Sequence, residues 1–295
     1  MISIFVIILT NCKKLDRSSK IGIDSLPSTP TIHQDISNDD HGNPRNAILH
    51  TQVCGFLVDY NGIRILIDAL FFDSRLPIPN ERLEAMQSGK PPFDQIDLIL
   101  ITHDHSDHFD VTLVGNNMLS NPDAILISTD VVVEKLGSFP DFPKIQERVI
   151  GLHLEENESE QVYIDTIDVE IFHLSHGIPA VPNFGYLITL GDLIFMHTGD
   201  MDPNSVKLLD LEAFKLAERE IDFAFVSGFR LIDPRYSAHI LEGIQPKIII
   251  PMHFNFQDPN RDIDAIFEQI ETDFDNVLLF RREMTWETIE EGKND

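Results

Sequence analysis

The chain has 295 residues, 42% hydrophobic and 24% charged, a composition that supports a globular core, and no repeating period of the kind solenoids or collagen-like chains require. Asp and Glu number 49 against 22 Lys and Arg, a net charge of −27 that repels phosphate backbones, disfavours a nuclease and leaves a small molecule, not nucleic acid, as the expected partner. Two cysteines, Cys12 and Cys54, exclude a disulfide framework.

In chain order, residues 2–9 are almost wholly apolar. They are too few to span a bilayer as a helix and enough for the apolar part of a signal peptide. The run ends at Leu9-Thr10-Asn11-Cys12, which resembles the lipobox of bacterial lipoproteins, whose cysteine is lipidated and becomes the mature N-terminus. The reading is a lipoprotein-type signal at 1–12, a flexible linker at 13–44 rich in Ser, Asp, Asn and Pro, and a folded domain at 45–295. It implies a membrane contact through lipid on Cys12 and a place in the bacterial cell envelope, on the periplasmic or surface side. The competing reading, an N-terminal strand with an incidental cysteine, implies a cytoplasmic protein.

Residues 47–60 and 63–68 form two apolar runs around Asn61-Gly62, a strong hairpin signal. Residues 70–93 are irregular, with a turn of helix at 81–86. Residues 96–102 read as a buried strand of continuous apolar type. A helix over 110–119, a strand at 124–127 and a helix opened by Thr129-Asp130 follow. Residues 161–174 alternate as a hairpin or two strands. Strands at 184–188 and 193–196 flank Gly191-Asp192. Asp202-Pro203 reads as the cap and first residue of a helix to 220. A strand at 222–226, a helix at 237–243, a strand at 247–252 and a helix at 261–273 complete the chain. Cys54, inside an apolar run, reads as a small core residue.

Directly after the 96–102 strand comes His103-Asp104-His105-Ser106-Asp107-His108. Alternate residues of an extended chain point the same way, so His103, His105 and Asp107 can converge while His108 points elsewhere. Imidazole and carboxylate are the ligands that zinc and similar ions prefer.

Thr102-His103-x-His105-x-Asp107-His108 resembles the signature of the metallo-β-lactamase superfamily. The resemblance runs over residues 47–260 and extends to His173 or His176, to Asp200 in His197-Thr198-Gly199-Asp200, and to His253 in Pro251-Met252-His253-Phe254. Of the two histidines His176, which follows the strand and precedes a glycine, is favoured over His173. Asp68, ending Ile65-Leu66-Ile67, matches a supporting position, and His197 reads as a hydrogen-bond partner. Gly55-Phe56-Leu57-Val58, Gly185-Tyr186-Leu187-Ile188 and the Pro-Met-His-Phe segment are similar to the ascorbate-phosphate lactonase-like branch.

The resemblance implies an α/β fold of four layers, an αββα sandwich, and two divalent metal ions, zinc first with manganese or iron as alternatives. His103, His105 and His176 would hold one ion. Asp107, His108 and His253 would hold the other, and Asp200 would bridge them. Asp107 and Asp200 are the implied catalytic carboxylates. The implied reaction is attack by a metal-activated hydroxide on a small ester, lactone, amide or phosphodiester. Rival readings are an iron-dependent oxygenase of the same fold and a non-catalytic metal-binding surface lipoprotein. Arg230 and Arg235 are candidates for a substrate carboxylate or phosphate, or simply for surface ion pairs. His50 and His239 are candidates for a place near the pocket, although a lone histidine is more often structural or surface-exposed, and Trp286 carries no recognisable signal.

Overall fold

The computed structural model describes residues 38–289 and the backbone of Val6–Leu9. Leu98–Ile101, the strand behind the histidine cluster, shows how the layers are organised. Leu98 and Leu100 point into one apolar cluster, Ile99 and Ile101 into another. A strand buried on both faces has to be apolar at every position, and this one is.

The strands are β1 (Val6–Leu9), β2 (Ala47–Gln52), β3 (Gly55–Tyr60), β4 (Ile63–Ile67), β5 (Leu98–Ile101), β6 (Ile125–Thr129), β7 (Val149–Leu152), β8 (Ser159–Ile164), β9 (Ile167–His173), β10 (Phe184–Leu190), β11 (Leu193–His197), β12 (Phe223–Ser227), β13 (Ile248–Met252) and β14 (Thr285–Thr288). They form two mixed sheets, in the orders β14-β2-β3-β4-β5-β6-β7 and β1-β8-β9-β10-β11-β12-β13. Phe56, Ile67 and Leu100 of the first sheet share a core with Tyr186, Phe225 and Ile250 of the second.

Helices α1 (Asn80–Ser88), α2 (Val111–Ser120) and α3 (Asp130–Leu136) pack on the outer face of the first sheet through Met86, Val114 and Leu136. Helices α4 (Leu208–Phe214), α5 (Gly228–Leu231), α6 (Pro234–Ala238) and α7 (Ile263–Asp273) cover the second through Leu211, Leu231, Tyr236 and Phe267. The result is the expected αββα sandwich. Among the described residues no helix is long and apolar enough to cross a membrane.

Several local expectations need correction. The 47–60 run is two antiparallel strands, because the chain reverses at Val53-Cys54, with Val53 at φ +42°. The helix expected over 202–220 is α-helical only at Leu208–Phe214. The Asp202 carboxylate does not cap it, being taken up by Ser205 Oγ, Asn204 Nδ2 and Arg230 Nη1. The helix expected at 237–243 starts earlier, at Pro234 after the capping side chain of Asp233, and continues as a π-helical segment, His239–Ile244. Strands β7 and β14 and helix α5 were not anticipated.

Residues 38–44, within the stretch expected as a linker, make a turn in which Asp39 N donates to Asn43 O at 2.8 Å. His41 there lies 3.4 Å from Asp94. The backbone of β1 pairs antiparallel with β8, from Val6 opposite Ile164 to Leu9 opposite Gln161. The rest of the signal and linker reading, Cys12 included, lies outside the described residues.

Candidate metal centre

Five chain segments meet at the ends of β5, β9, β11 and β13 and at the β2–β3 reversal. His103 leaves β5 fully buried. The chain does not stay extended through the motif: His105 O accepts from His108 N at 3.1 Å and from Phe109 N at 2.9 Å. This turn, not strand alternation alone, swings Asp107 and His108 to their own side.

The ring nitrogens of His103, His105 and His176 lie within 4.8 Å of one another. His173 is outside this group, on β9, with Nδ1 2.7 Å from Leu154 O. Asp200 sits between the two halves of the cluster. Its Oδ2 is 3.5 Å from His176 Nε2 and 3.2 Å from His253 Nε2, and its Oδ1 is 3.5 Å from His108 Nε2. His253 Nε2 also lies 3.6 Å from Asp107 Oδ2. All seven residues named from the sequence are therefore brought together.

The surrounding bonds fix how these groups point. Asp68 accepts from Thr102 N at 2.8 Å and Thr102 Oγ1 at 2.7 Å, and its Oδ2 lies 2.7 Å from His108 Nδ1. With Nδ1 committed to Asp68, His108 turns Nε2 toward Asp200. Thr102 Oγ1 lies 3.0 Å from His103 Nδ1, which likewise leaves His103 Nε2 facing inward. Carboxylate and hydroxyl partners of this kind orient ligating imidazoles. His197, fully buried, places Nε2 3.2 Å from Cys54 O and accepts from Gly199 N at 3.1 Å on Nδ1, so it supports the turn that carries Asp200.

Asn183 is a site residue the sequence did not single out. Its Oδ1 accepts from Asp200 N at 3.0 Å, and its Nδ2 donates to Leu174 O at 2.7 Å and Thr198 O at 3.2 Å. It joins the loop of His176 to the loop of Asp200. Val53 and His253 form a second junction: His253 N donates to Val53 O at 2.9 Å, and His253 has φ +71°. A left-handed backbone at a β-branched residue and at a histidine is uncommon and is held only where surrounding structure over-determines it.

Cys54 also belongs to the site. Its Sγ is 3.4 Å from His108 Nδ1 and donates to Asp107 O at 3.1 Å, and it shares one potential ligand group with His108 and His253. Burial pushes the thiol up to about 12. The core reading from the sequence was right about burial and missed this neighbourhood.

Electrostatics sort the groups. Burial holds His103 well below its ordinary value, so its imidazole is neutral, the form that binds metal. Burial works to raise the Asp200 carboxyl, yet His253 and His108 beside it hold it well below the usual carboxylate range. His103 Nε2, both ring nitrogens of His176, Asp200 Oδ1 and His253 Nε2 are buried without hydrogen-bond partners. One unsatisfied buried polar group costs on the order of 1–3 kcal/mol. Several gathered in one cluster fit bound cations, each imidazole offering one nitrogen, and the donor set of imidazoles and carboxylates suits divalent metal.

Other candidates have partners of their own. Arg230 pairs with Asp202 at 2.8 Å, and Arg235 with Asp233 and Asn204. The ring of His50 lies against Phe56 and Phe280, and His239 Nε2 is 2.8 Å from Val206 O. Beside the centre a cavity of about 360 Å³ opens onto Asp107 and His253 and is also lined by Arg75, Asn255, Asp258 and Arg261.

The family described as the Beta-lactamase superfamily domain matches residues 50–253, which include all seven of these positions. The chain belongs to that family. A protein of Caldivirga maquilingensis named UPF0173 metal-dependent hydrolase is 26% identical over 203 residues, 68% of this chain and 78% of that protein. Igni18, a metallo hydrolase from Ignicoccus hospitalis, superposes with a TM-score of 0.57 at 17% identity, over 84% of this chain and 99% of that one. CmlA, a diiron β-hydroxylase from Streptomyces venezuelae, superposes at 0.52 with 13% identity, over 82% of this chain and 54% of that one. Such distant likenesses establish a common fold.

Proposed function

We propose that the chain is a metal-dependent hydrolase acting on a small ester, lactone, amide or phosphodiester. His103, His105 and His176 would hold one divalent ion, Asp107, His108 and His253 a second, with Asp200 shared. The observation that carries this is the gathering of buried nitrogens and a carboxylate oxygen without hydrogen-bond partners into adjoining groups of ligand atoms, His103-His105-His176 and His103-His108-Asp200 among them. Bound metal supplies Lewis acidity there: it lowers the pKa of water and polarises a carbonyl or phosphoryl oxygen. The protein supplies the rest. Asp68 and Thr102 fix the histidine orientations, Asp107 and Asp200 face the reacting point as hydrogen-bond acceptors for water, and Asn183 holds the two loops in register. Zinc is the first ion to test, manganese and iron the next.

Full-length protein loaded with each ion should hydrolyse at least one member of a panel of lactones, including a sugar-phosphate lactone, esters, thioesters and phosphodiesters. Elemental analysis should show close to two ions per chain. Metal-free protein that takes up none of the three ions would reject the centre. An iron-loaded form that consumes oxygen with substrate, while no panel member is hydrolysed, would favour the oxygenase reading. Nucleic acid stays outside the proposal, because a chain of net charge −27 repels it. We also propose lipidation at Cys12 and attachment to the bacterial envelope. The support is the Leu9-Thr10-Asn11-Cys12 segment and the apolar run before it.

A further inference from the structure

The cavity beside Asp107 and His253 places two guanidinium groups, Arg75 and Arg261, at the mouth of the metal centre of a strongly acidic chain. Each is fixed on one edge and open on another. Arg75 uses Nε and Nη2 on Asp73, a carboxylate only 4% exposed, which also accepts from Ser106 Oγ at 2.9 Å. Ser106 lies in the histidine motif, so this arginine is tied to the turn that presents Asp107. Arg75 Nη1 has no acceptor among the described residues. Arg261 sets Nε 3.4 Å from Asp258 Oδ2 and its Cζ 4.3 Å from the centroid of the Phe229 ring. Its two Nη groups likewise have no acceptor among the described residues.

Two carboxylates also line the space. Asp107 faces His253, and Asp258 is taken up by Arg261 and by the backbone and side chain of Asn260. The donors left over are the cationic N–H groups of the two exposed arginines and the side-chain amide of Asn255. A planar guanidinium with a free edge suits a carboxylate or phosphate, and a cavity of about 360 Å³ is of small-ligand size.

We propose that Arg75 and Arg261 hold a carboxylate or phosphate group of the substrate while its scissile bond faces Asp107 and His253, so that the enzyme selects small anionic substrates. This rests on the hydrolase reading for the reaction, but the anion site can be measured by itself. Two experiments separate them. The first titrates inorganic phosphate and glutarate into the zinc-loaded full-length protein, its Arg75→Gln and Arg261→Gln variants and the double variant, by calorimetry. The second compares mono-4-nitrophenyl glutarate with 4-nitrophenyl acetate as substrates of the same proteins. Zinc content and thermal midpoint are recorded for each.

At least one of the two anions should bind, and each single variant should weaken it by about 10–100-fold, the range for losing a hydrogen bond to a charged group. The ratio of kcat/KM for the anionic over the neutral ester should fall by a similar factor, and Arg75→Lys should recover only part of it. Whichever anion loses more affinity identifies the chemistry. Anion binding that is absent, or present and insensitive to both variants, overturns the proposal; the latter would mean that the anion sits on the metal alone. Equal loss on both esters with the ratio unchanged also overturns it, because that is what a purely structural role would give. If neither ester is cleaved while the anion affinity falls as stated, the anion site stands, and the ester part of the hydrolase reading is rejected.

Discussion

Asp68 is a single buried carboxylate that controls two site residues, through Thr102 and through His108. Asp68→Asn keeps the shape but presents an amide where His108 Nδ1 needs an acceptor. Metal affinity should fall about 10–100-fold, the usual cost of losing such a partner. Competition with a chromophoric chelator measures it, and an unchanged affinity would show that His108 does not depend on this contact. His173 and His176 offer an internal contrast. His176→Ala removes one of three clustered imidazoles and should lower metal content markedly. His173→Ala loses a bond to Leu154 O, about 1 kcal/mol of stability, and should keep its metal. Elemental analysis of the two variants decides, and a reversed order would mean that the wrong histidine has been assigned. These positions were legible because their chemistry is concentrated in short motifs. Cys54 was not. An apolar run announces burial, but nothing local tells which buried residue lies against a histidine brought in by a distant segment.

Among elements, the turns carry more of the site than the strands do. Gly199, at φ +54°, lets the chain pass Asn183 so closely that an added Cβ would stand 2.2 Å from Asn183 Oδ1. Gly199→Ala should therefore cost more than the ~1–2 kcal/mol of a left-handed alanine, and it should displace Asp200 as well. A urea midpoint lowered together with metal affinity is the expected result. A variant with wild-type stability would show that the turn relaxes freely. The hairpin at Asn61-Gly62, with both residues at positive φ, and the Thr129 cap, accepting from Val132 N at 3.2 Å, could be read from the sequence because their signals are local. Asp202-Pro203 misled for the same reason: it has the form of a helix start, but Ser205 and Arg230 claim the carboxylate. Strand β14, Thr-Trp-Glu-Thr, has no apolar alternation to announce it, and its pairing with β2 is set by the whole domain.

For the whole molecule, the three apolar clusters of the described residues run from Ile48 to Ile289. What the N-terminal segment does depends on processing. The backbone of β1 pairs with the outer edge of β8, and cleavage before Cys12 would remove β1 entirely. The exposed edge would then be β8, along the residues β1 pairs with, Gln161 to Ile164. Native protein should accordingly begin at lipid-modified Cys12 and partition into detergent. Cys12→Ser should leave the leader uncleaved while the domain melts at the same temperature. Intact mass, phase partition and a thermal scan measure these three properties. A native chain that retains Met1, stays in the aqueous phase and shows slow amide exchange at residues 6–9 would instead establish β1 as a permanent strand of the second sheet.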